Sequence, residues 1–147
     1  MEQTLVILKP DCVQRGLVGE VITRIERKGF TIAAMKLSMI SKEKAEQHYQ
    51  EHKSKPFFGE LVSFITASPV VLMVVQGDQA VTMIRKMAGA TKAEDAEPGT
   101  IRGDYVIHTG MNIIHTSDGI ESARQEITRF FQSNELISYD SALKAWI

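Results

Sequence analysis

Apolar positions along the chain fall into two kinds of pattern, short uninterrupted runs and longer runs with helical spacing. Thr4 to Leu8 is a short run ending at Lys9-Pro10, which predicts a buried strand whose carboxyl end delivers Lys9 into a cleft, well placed for a phosphate. After Gly16, residues Leu17, Val18, Val21, Ile22 and Ile25 recur at helical spacing until Gly29, a natural residue just past a helix end. Phe30 to Met39 then alternates as a strand should, with Ala33, Met35, Leu37 and Met39 on one face. Ser41 caps the next helix. Lys42 to Ala67 reads as two helices broken around Ser54-Lys55-Pro56, because proline disfavours helical geometry in the residue before it, and Phe57 sits at that break. Val70 to Val75 is a continuous apolar strand, and Asp78 is the expected cap of a helix that turns Ala80, Val81, Ile84 and Ala88 inward with Arg85 toward the rim. From Gly89 to Asp104 the periodicity fades into a Gly-, Pro- and acid-containing stretch, which predicts a long surface loop of the kind that often carries function. Tyr105 to Thr109 reads as a short strand. A last helix, opened by Asp118 with Glu121 as its reciprocal capping partner, is expected to bury Ile120, Ala123, Ile127 and Phe130 and to carry Glu126 on the flank of that stripe. The tail near Trp146 is expected to pack on a surface.

On pattern alone, strands alternating with helices suggest an α/β protein with a parallel sheet. No internal repeat, low-complexity tract or linker divides the chain, so residues 1–147 read as a single domain long enough to bury a core. A net charge of −1 gives no global reason to expect nucleic-acid or membrane binding, although basic residues can still converge locally on a polyphosphate. No apolar run approaches the roughly 20 residues needed to cross a bilayer. The lone Cys12 excludes an internal disulfide framework, and the amino terminus lacks the basic-then-apolar layout of a secretory signal, so a reducing, cytoplasmic setting is expected.

Candidate chemistry concentrates in Asn112-Ile113-Ile114-His115-Thr116-Ser117-Asp118-Gly119, where an imidazole, an amide, a hydroxyl and a carboxylate precede the last helix. The first-turn N–H groups and positive end of that helix favour a phosphoryl group beside His115. Neutral imidazole is nucleophilic at physiological pH, and its second nitrogen can donate to a carboxylate that fixes the tautomer and supports the charge formed on phosphorylation. Glu126 is the candidate for that carboxylate. No G-x-x-x-x-G-K-[ST] run is present, so any nucleotide phosphate must be held by side chains.

The same eight residues fit N-x-x-H-x-S-D-G, and with Thr4-Leu5-Val6-Ile7-Leu8-Lys9-Pro10-Asp11 and Pro98-Gly99-Thr100-Ile101-Arg102-Gly103-Asp104 the chain resembles the nucleoside diphosphate kinases over nearly its whole length. The resemblance implies an α+β fold in place of the parallel sheet: a ferredoxin-like βαββαβ arrangement with a four-stranded antiparallel sheet and helices over one face. The continuous apolar strands also suggest cover on both faces, from a partner subunit or from core packing alone. The resemblance implies reversible transfer of the terminal phosphate from a nucleoside triphosphate to a nucleoside diphosphate through phosphorylated His115, with Mg2+ accompanying the nucleotide. It assigns Ser117 and Tyr49 to the support of His115, Lys9, Arg85, Thr91 and Arg102 to the phosphates, Asn112 and Lys9 to the ribose hydroxyl, Phe57 to stacking on the base, and Asp118 to an indirect magnesium contact. Stacking tolerates every base, so broad nucleobase use is expected. It also implies a homo-oligomer, a hexamer ahead of a tetramer.

Three positions depart from the family pattern. Thr116 follows the motif histidine where glycine is common and could crowd the approach; Ala93 replaces a common proline after Thr91 and could loosen the loop; Thr109 replaces an apolar residue near the base pocket. A competing reading comes from His48-Tyr49-Gln50-Glu51-His52, which matches the H-x-x-E-H signature of inverted zinc peptidases, with His48 and His52 as ligands and Glu51 activating water. A further one is a non-catalytic nucleotide-binding or interaction module, because ferredoxin-like folds serve many functions.

Overall fold

The computed structural model describes residues 1–147. The two continuous apolar runs become its central strands: β1 (Glu2–Leu8) pairs antiparallel with β3 (Val70–Gly77), Leu5 opposite Val74 and Leu8 opposite Val71. Outside them lie β2 (Thr31–Ser38), antiparallel to β3, and the short β4 (Ile114–Thr116), antiparallel to β1, for a strand order β2-β3-β1-β4. Helix α1 (Pro10–Gln14) follows Lys9, and α2 (Val18–Lys28) crosses from β1 to β2, ending on Gly29 with φ 111°, a conformation glycine adopts without steric cost. Between β2 and β3 stand α3 (Lys42–His48), capped by the Ser41 hydroxyl on the Lys44 N–H at 3.2 Å, and α4 (Phe58–Thr66). Then α5 (Ala80–Ala88) and the short α6 (Ile101–Tyr105) lead to β4, and α7 (Ile120–Phe130) follows it. The sheet and its two crossovers give the ferredoxin-like α+β order.

Alternation along the central strands sends side chains into two cores. Val6, Leu8, Val71, Met73 and Val75 pack with Val21 and Ile25 of α2 and Ile84 and Ala88 of α5. Leu5, Ile7, Leu72 and Val74 pack on the other side with Ala45 of α3, Val62 and Ile65 of α4, and Phe130 of α7. Each fully buried aliphatic side chain contributes about 1.5–3 kcal/mol of transfer free energy. Helices of the same chain therefore cover both sheet faces, not one, and the continuous apolar strands have this cover without a partner subunit.

Several local expectations are corrected. In β2 the register shifts between Ile32 and Ala34, and this bulge breaks the simple alternation: Ala33 and Ala34 are both buried, while Met35, Leu37 and Met39 stand 55%, 68% and 58% exposed. The α5 amino terminus is capped not by Asp78 but by Glu2, whose carboxylate accepts the Val81 N–H at 2.9 Å; Gln79, with φ 53°, occupies the cap position. Residues 89–104 are not all loop, because α6 begins at Ile101 and reaches Tyr105, and the strand expected over Tyr105 to Thr109 forms instead at Ile114. Helix α7 starts after Gly119, so Asp118 makes no cap, and Ile120 is 61% exposed. Trp146 is 84% exposed; the tail touches the body through Ile147, whose side chain lies against Gly29.

Helix α6 is anchored by Thr100, whose hydroxyl accepts the Gly103 N–H at 3.0 Å and donates to the Glu97 carbonyl at 2.6 Å. A methyl at Gly103 would collide with that same carbonyl oxygen. The Gly103→Ala substitution is expected to destabilise the fold by about 1–3 kcal/mol, the cost of overpacking a closed site, read as a lower urea midpoint with an unchanged slope.

Candidate active site

The three residues of β4 set the geometry. Ile114 and Thr116 are buried, and the residue between them, His115, projects from the opposite face of the strand with 22% of its side chain exposed. Helix α7 lies on that side and brings Glu126 to it, so that both carboxylate oxygens stand 3.1 Å from His115 Nε2. The Ser117 hydroxyl donates to Glu126 Oε1 at 2.6 Å and accepts the Leu5 N–H at 3.2 Å, tying the carboxylate to β1. Burial pushes the Glu126 carboxyl up, but the His115 and Ser117 hydrogen bonds, with charge from His115 and His48, outweigh it and hold the group below the usual carboxylate range. An ionised carboxylate can only accept hydrogen bonds. Nε2 must therefore carry the ring proton, which leaves Nδ1 with a free lone pair.

His48, at the end of α3, is a zinc-ligand candidate in the sequence, which gives no sign that it neighbours His115. Its ring stands edge-on to His115 at 4.6 Å between centroids, with Nδ1 4.0 Å from Glu126 Oε2. Burial, reinforced by His115, pushes its pKa down to about 3, so it is neutral at physiological pH. Tyr49 packs edge-on against His48 at 4.8 Å, its phenol pushed up to about 12 by burial and the Glu126 charge. Only the adjacency of His48 to Tyr49 hinted at this placement.

Cations gather in a second group. Lys9 Nζ donates to Asn112 Oδ1 at 2.8 Å, and Arg102 donates to the backbone carbonyls of Gly89 at 2.8 Å, Ile114 at 2.6 Å and Asn112 at 3.4 Å. Burial, with Arg102 adding repulsion, pulls Lys9 down to about 8; burial, with Arg85 adding repulsion, pulls Arg102 down to about 10. None of Lys9, Arg85 and Arg102 forms an ion pair with a carboxylate. Arg102, buried among neutral carbonyls, has no carboxylate partner, and the Asp11 charge offsets the Lys9 ammonium only in part, a setting that an anion relieves. Arg85, Thr91, Arg102 and Asp118 line one cleft of about 450 Å³, together with Gly119 at the start of α7. The chain beside it is strained: Ile113 has φ 57°, rare for a β-branched residue, and is pinned by Asp11, whose carboxylate accepts the Ile113 N–H at 3.1 Å.

The structure thus joins His115, Glu126, Ser117, His48 and Tyr49 in one cluster, Lys9, Asn112 and Arg102 in a second, and Arg85, Thr91, Arg102 and Asp118 around the cleft. Phe57 stands apart at the head of α4, 42% exposed, with His52 5.6 Å from its ring centroid. The H-x-x-E-H pattern is not assembled, because α3 ends at His48 and His52 belongs to a separate tight turn, Gln50–His52. The departures are also accommodated. Thr116 is buried on the face opposite His115, so it does not crowd the ring. The Ala93 N–H, which a proline would lack, donates to the Thr109 hydroxyl at 3.0 Å, so two departures tie the loop together.

A family model described as nucleoside diphosphate kinase matches residues 2–136. The chain belongs to the nucleoside diphosphate kinase family. It is 54% identical to the nucleoside diphosphate kinase of Halalkalibacterium halodurans and 55% identical to that of Crocosphaera subtropica, covering 100% and 99% of those proteins and all of this chain. Among solved structures, a halophilic nucleoside diphosphate kinase from Halobacterium salinarum in complex with CDP matches with a TM-score of 0.96 at 48% identity, covering 99% of this chain and 97% of that one. A nucleoside diphosphate kinase family protein from Babesia bovis matches with a TM-score of 0.96 at 38% identity, covering 99% of both chains. The chain is accordingly a nucleoside diphosphate kinase, a phosphotransferase with nucleotide substrates, and the peptidase and non-catalytic readings are not favoured. Kinase chemistry of this kind generally calls for a divalent metal. No helix is long and apolar enough to cross a membrane.

Because the folded Glu126 carboxyl lies below its unfolded value, it contributes stability that is present above about pH 4.3 and lost as pH falls through the folded value. Ser117→Ala removes one of the hydrogen bonds responsible. It is expected to lower stability by about 1–3 kcal/mol at neutral pH and less at pH 3, a narrowing that urea titrations at the two pH values would measure.

Proposed function

We propose that His115 Nδ1 is the atom that carries phosphate between nucleotides. In the first half-reaction Nδ1 attacks the terminal phosphorus of a nucleoside triphosphate, an N–P bond forms as the P–O bond to the diphosphate breaks, and the diphosphate leaves. In the second half-reaction the terminal oxygen of another diphosphate attacks the same phosphorus and restores the neutral ring. The observation that carries this reading is the Nε2–Glu126 pairing at 3.1 Å, which leaves Nδ1 as the nitrogen with a free lone pair. As positive charge forms on the ring, the Glu126 carboxylate offsets it, and Ser117 keeps that carboxylate in place.

Lys9, Arg85, Thr91 and Arg102 hold the phosphates. The buried positive charge of Lys9 and Arg102 supports this role, because charge developing on the transferred oxygens meets donors fixed before the reaction begins. Asn112 and Lys9 address the ribose, Phe57 offers an exposed ring for a base of any identity, and Tyr49 backs the histidine cluster through His48. Mg2+ characteristically keeps several waters and binds through one or two carboxylates plus substrate phosphates. The cleft suits that habit, since Asp118 is an exposed carboxylate on its wall whereas Glu2 is engaged by the Val81 N–H. Mg2+ would be held by the nucleotide with Asp118 in water-mediated reach, and it would neutralise phosphate charge.

The chain works as one domain, residues 1–147, its two cores sharing one sheet. It assembles with copies of itself, a hexamer ahead of a tetramer; exposed Met35, Leu37 and Met39 along the edge strand β2 support self-association. The cytoplasm is the expected location, in keeping with a single buried Cys12 whose thiol burial pushes up to about 12.

Incubation with a terminally labelled triphosphate is expected to leave one labelled phosphoryl group on His115, discharged by added diphosphate. His115→Ala should lose the label and lower exchange on the order of a thousandfold or more; full exchange by that variant would refute the relay. A second expectation concerns Lys9, whose charge is lost as pH rises through about 8. Free-enzyme kcat/KM should fall on an alkaline limb near that pH, and Lys9→Arg, with its permanent charge, should move the limb upward.

A further inference from the structure

The Glu126 side of the imidazole carries more ligand atoms than the relay uses. His48 Nδ1 has no hydrogen-bond partner although its side chain is only 3% exposed, and it faces Glu126 Oε2 at 4.0 Å. His115 Nε2 meets the same carboxylate at 3.1 Å, and one ligand atom from each of His48, His115 and Glu126 lies within 4.8 Å of the others. Zinc bound to imidazole and carboxylate at about 2.0–2.1 Å in a tetrahedral site places its ligand atoms about 3.3 Å apart. The His115–Glu126 pair already has that spacing, and the two edges to His48 Nδ1, 4.0 Å to Glu126 Oε2 and within 4.8 Å to His115, shorten when an ion is bound. A separate pocket of about 270 Å³ reaches His48 and Glu126 from outside and is lined by Glu51, Glu126 and Asp118 against a single cation, Arg129. Three carboxylates there favour a cation over a phosphate.

We propose that His48, His115 and Glu126 form a binding site for a zinc-class divalent ion, and that occupation of this site switches the relay off. The ion takes the Nε2 lone pair. The proton displaced from Nε2 passes through solvent to Nδ1, so the ring stays neutral but now carries hydrogen on the nitrogen that must attack phosphorus. With its lone pair used, Nδ1 accepts no phosphoryl group. Two neutral imidazoles and one carboxylate make a ligand set that suits zinc and leaves one coordination position open. The binding site stands on geometry alone, whereas the inhibition rests on His115 Nδ1 being the phosphate carrier.

Zinc titration of the metal-stripped, nucleotide-free full chain by calorimetry, with cobalt absorption as a second reporter, tests the site. One ion per chain is expected, with affinity lowered at least tenfold in His48→Gln and in His115→Asn and changed less than twofold in Glu51→Gln and His52→Ala. Should His48→Gln fail to fold, His115→Asn decides the binding arm. No stoichiometric ion, equal binding in wild type and the two ligand variants, or dependence on His52 would each overturn the site. In the second arm, labelling of the protein by triphosphate in excess Mg2+ is compared with and without site-saturating zinc, each protein against its own zinc-free rate. Wild type should slow at least tenfold and recover with chelator, and His48→Gln should slow far less. Equal slowing in both would mean that zinc acts on the nucleotide, and no slowing would mean that the bound ion is inert; either sinks the inhibitory claim. Loss of labelling in zinc-free wild type would instead refute the relay and leave the binding arm intact.

Discussion

One charged hydrogen bond organises this molecule's chemistry: the Glu126 carboxylate holding His115 Nε2 at 3.1 Å. It decides which ring nitrogen is protonated, and therefore which nitrogen can attack. The bond is not local. Glu126 comes from α7, His115 from β4, and Ser117 links them to β1 through the Leu5 N–H. Helix α7 can hold its carboxylate there because Ala123 and Phe130 are buried on its inner face, with Phe130 in the same core as Leu5 and Ile7. Packing thus fixes the helix, the helix fixes the carboxylate, and the carboxylate fixes the tautomer.

The cationic side follows a complementary constraint. Arg102 spends hydrogen bonds on three carbonyls, which orients its guanidinium but leaves its charge unmatched, and Lys9 beside it feels both burial and that charge. Burial and repulsion from a neighbouring arginine disfavour the charged forms of both groups, and a bound anion would relieve that cost. Strain at Ile113 belongs to the same arrangement: the Asp11 carboxylate holds the backbone in an unfavourable region directly between Asn112 and the strand that carries His115.

Much of this was legible in the chain because it is written locally. Thr4 to Leu8 and Val70 to Val75 announced strands buried on both faces, Gly29 ended a helix, Ser41 began one, and the residues around His115 carried a specific motif. Glu126 could be named because helical spacing put it on the flank of an apolar stripe. What escaped depends on contacts distant in sequence. Glu2 outcompeted Asp78 for the α5 amino terminus, and nothing near either residue encodes that pairing. The β2 bulge, where Ile137 donates to the Ala33 carbonyl at 2.8 Å, separates Ala33 from the exposed face that Met35 and Leu37 share. His48 was legible as a metal-type residue but not as a neighbour of His115, since only the fold brings the end of α3 within ring contact of His115. The pairing of Ala93 with Thr109 was hidden for the same reason: two departures that look independent in sequence share one hydrogen bond.

The most direct examination of the tautomer is side-chain 15N NMR of the histidine rings in the nucleotide-free protein at neutral pH. The Glu126 pairing predicts a His115 ring whose Nε2 is protonated and whose Nδ1 shows the shift of a bare, lone-pair nitrogen. A ring protonated at Nδ1 with Nε2 bare would contradict it.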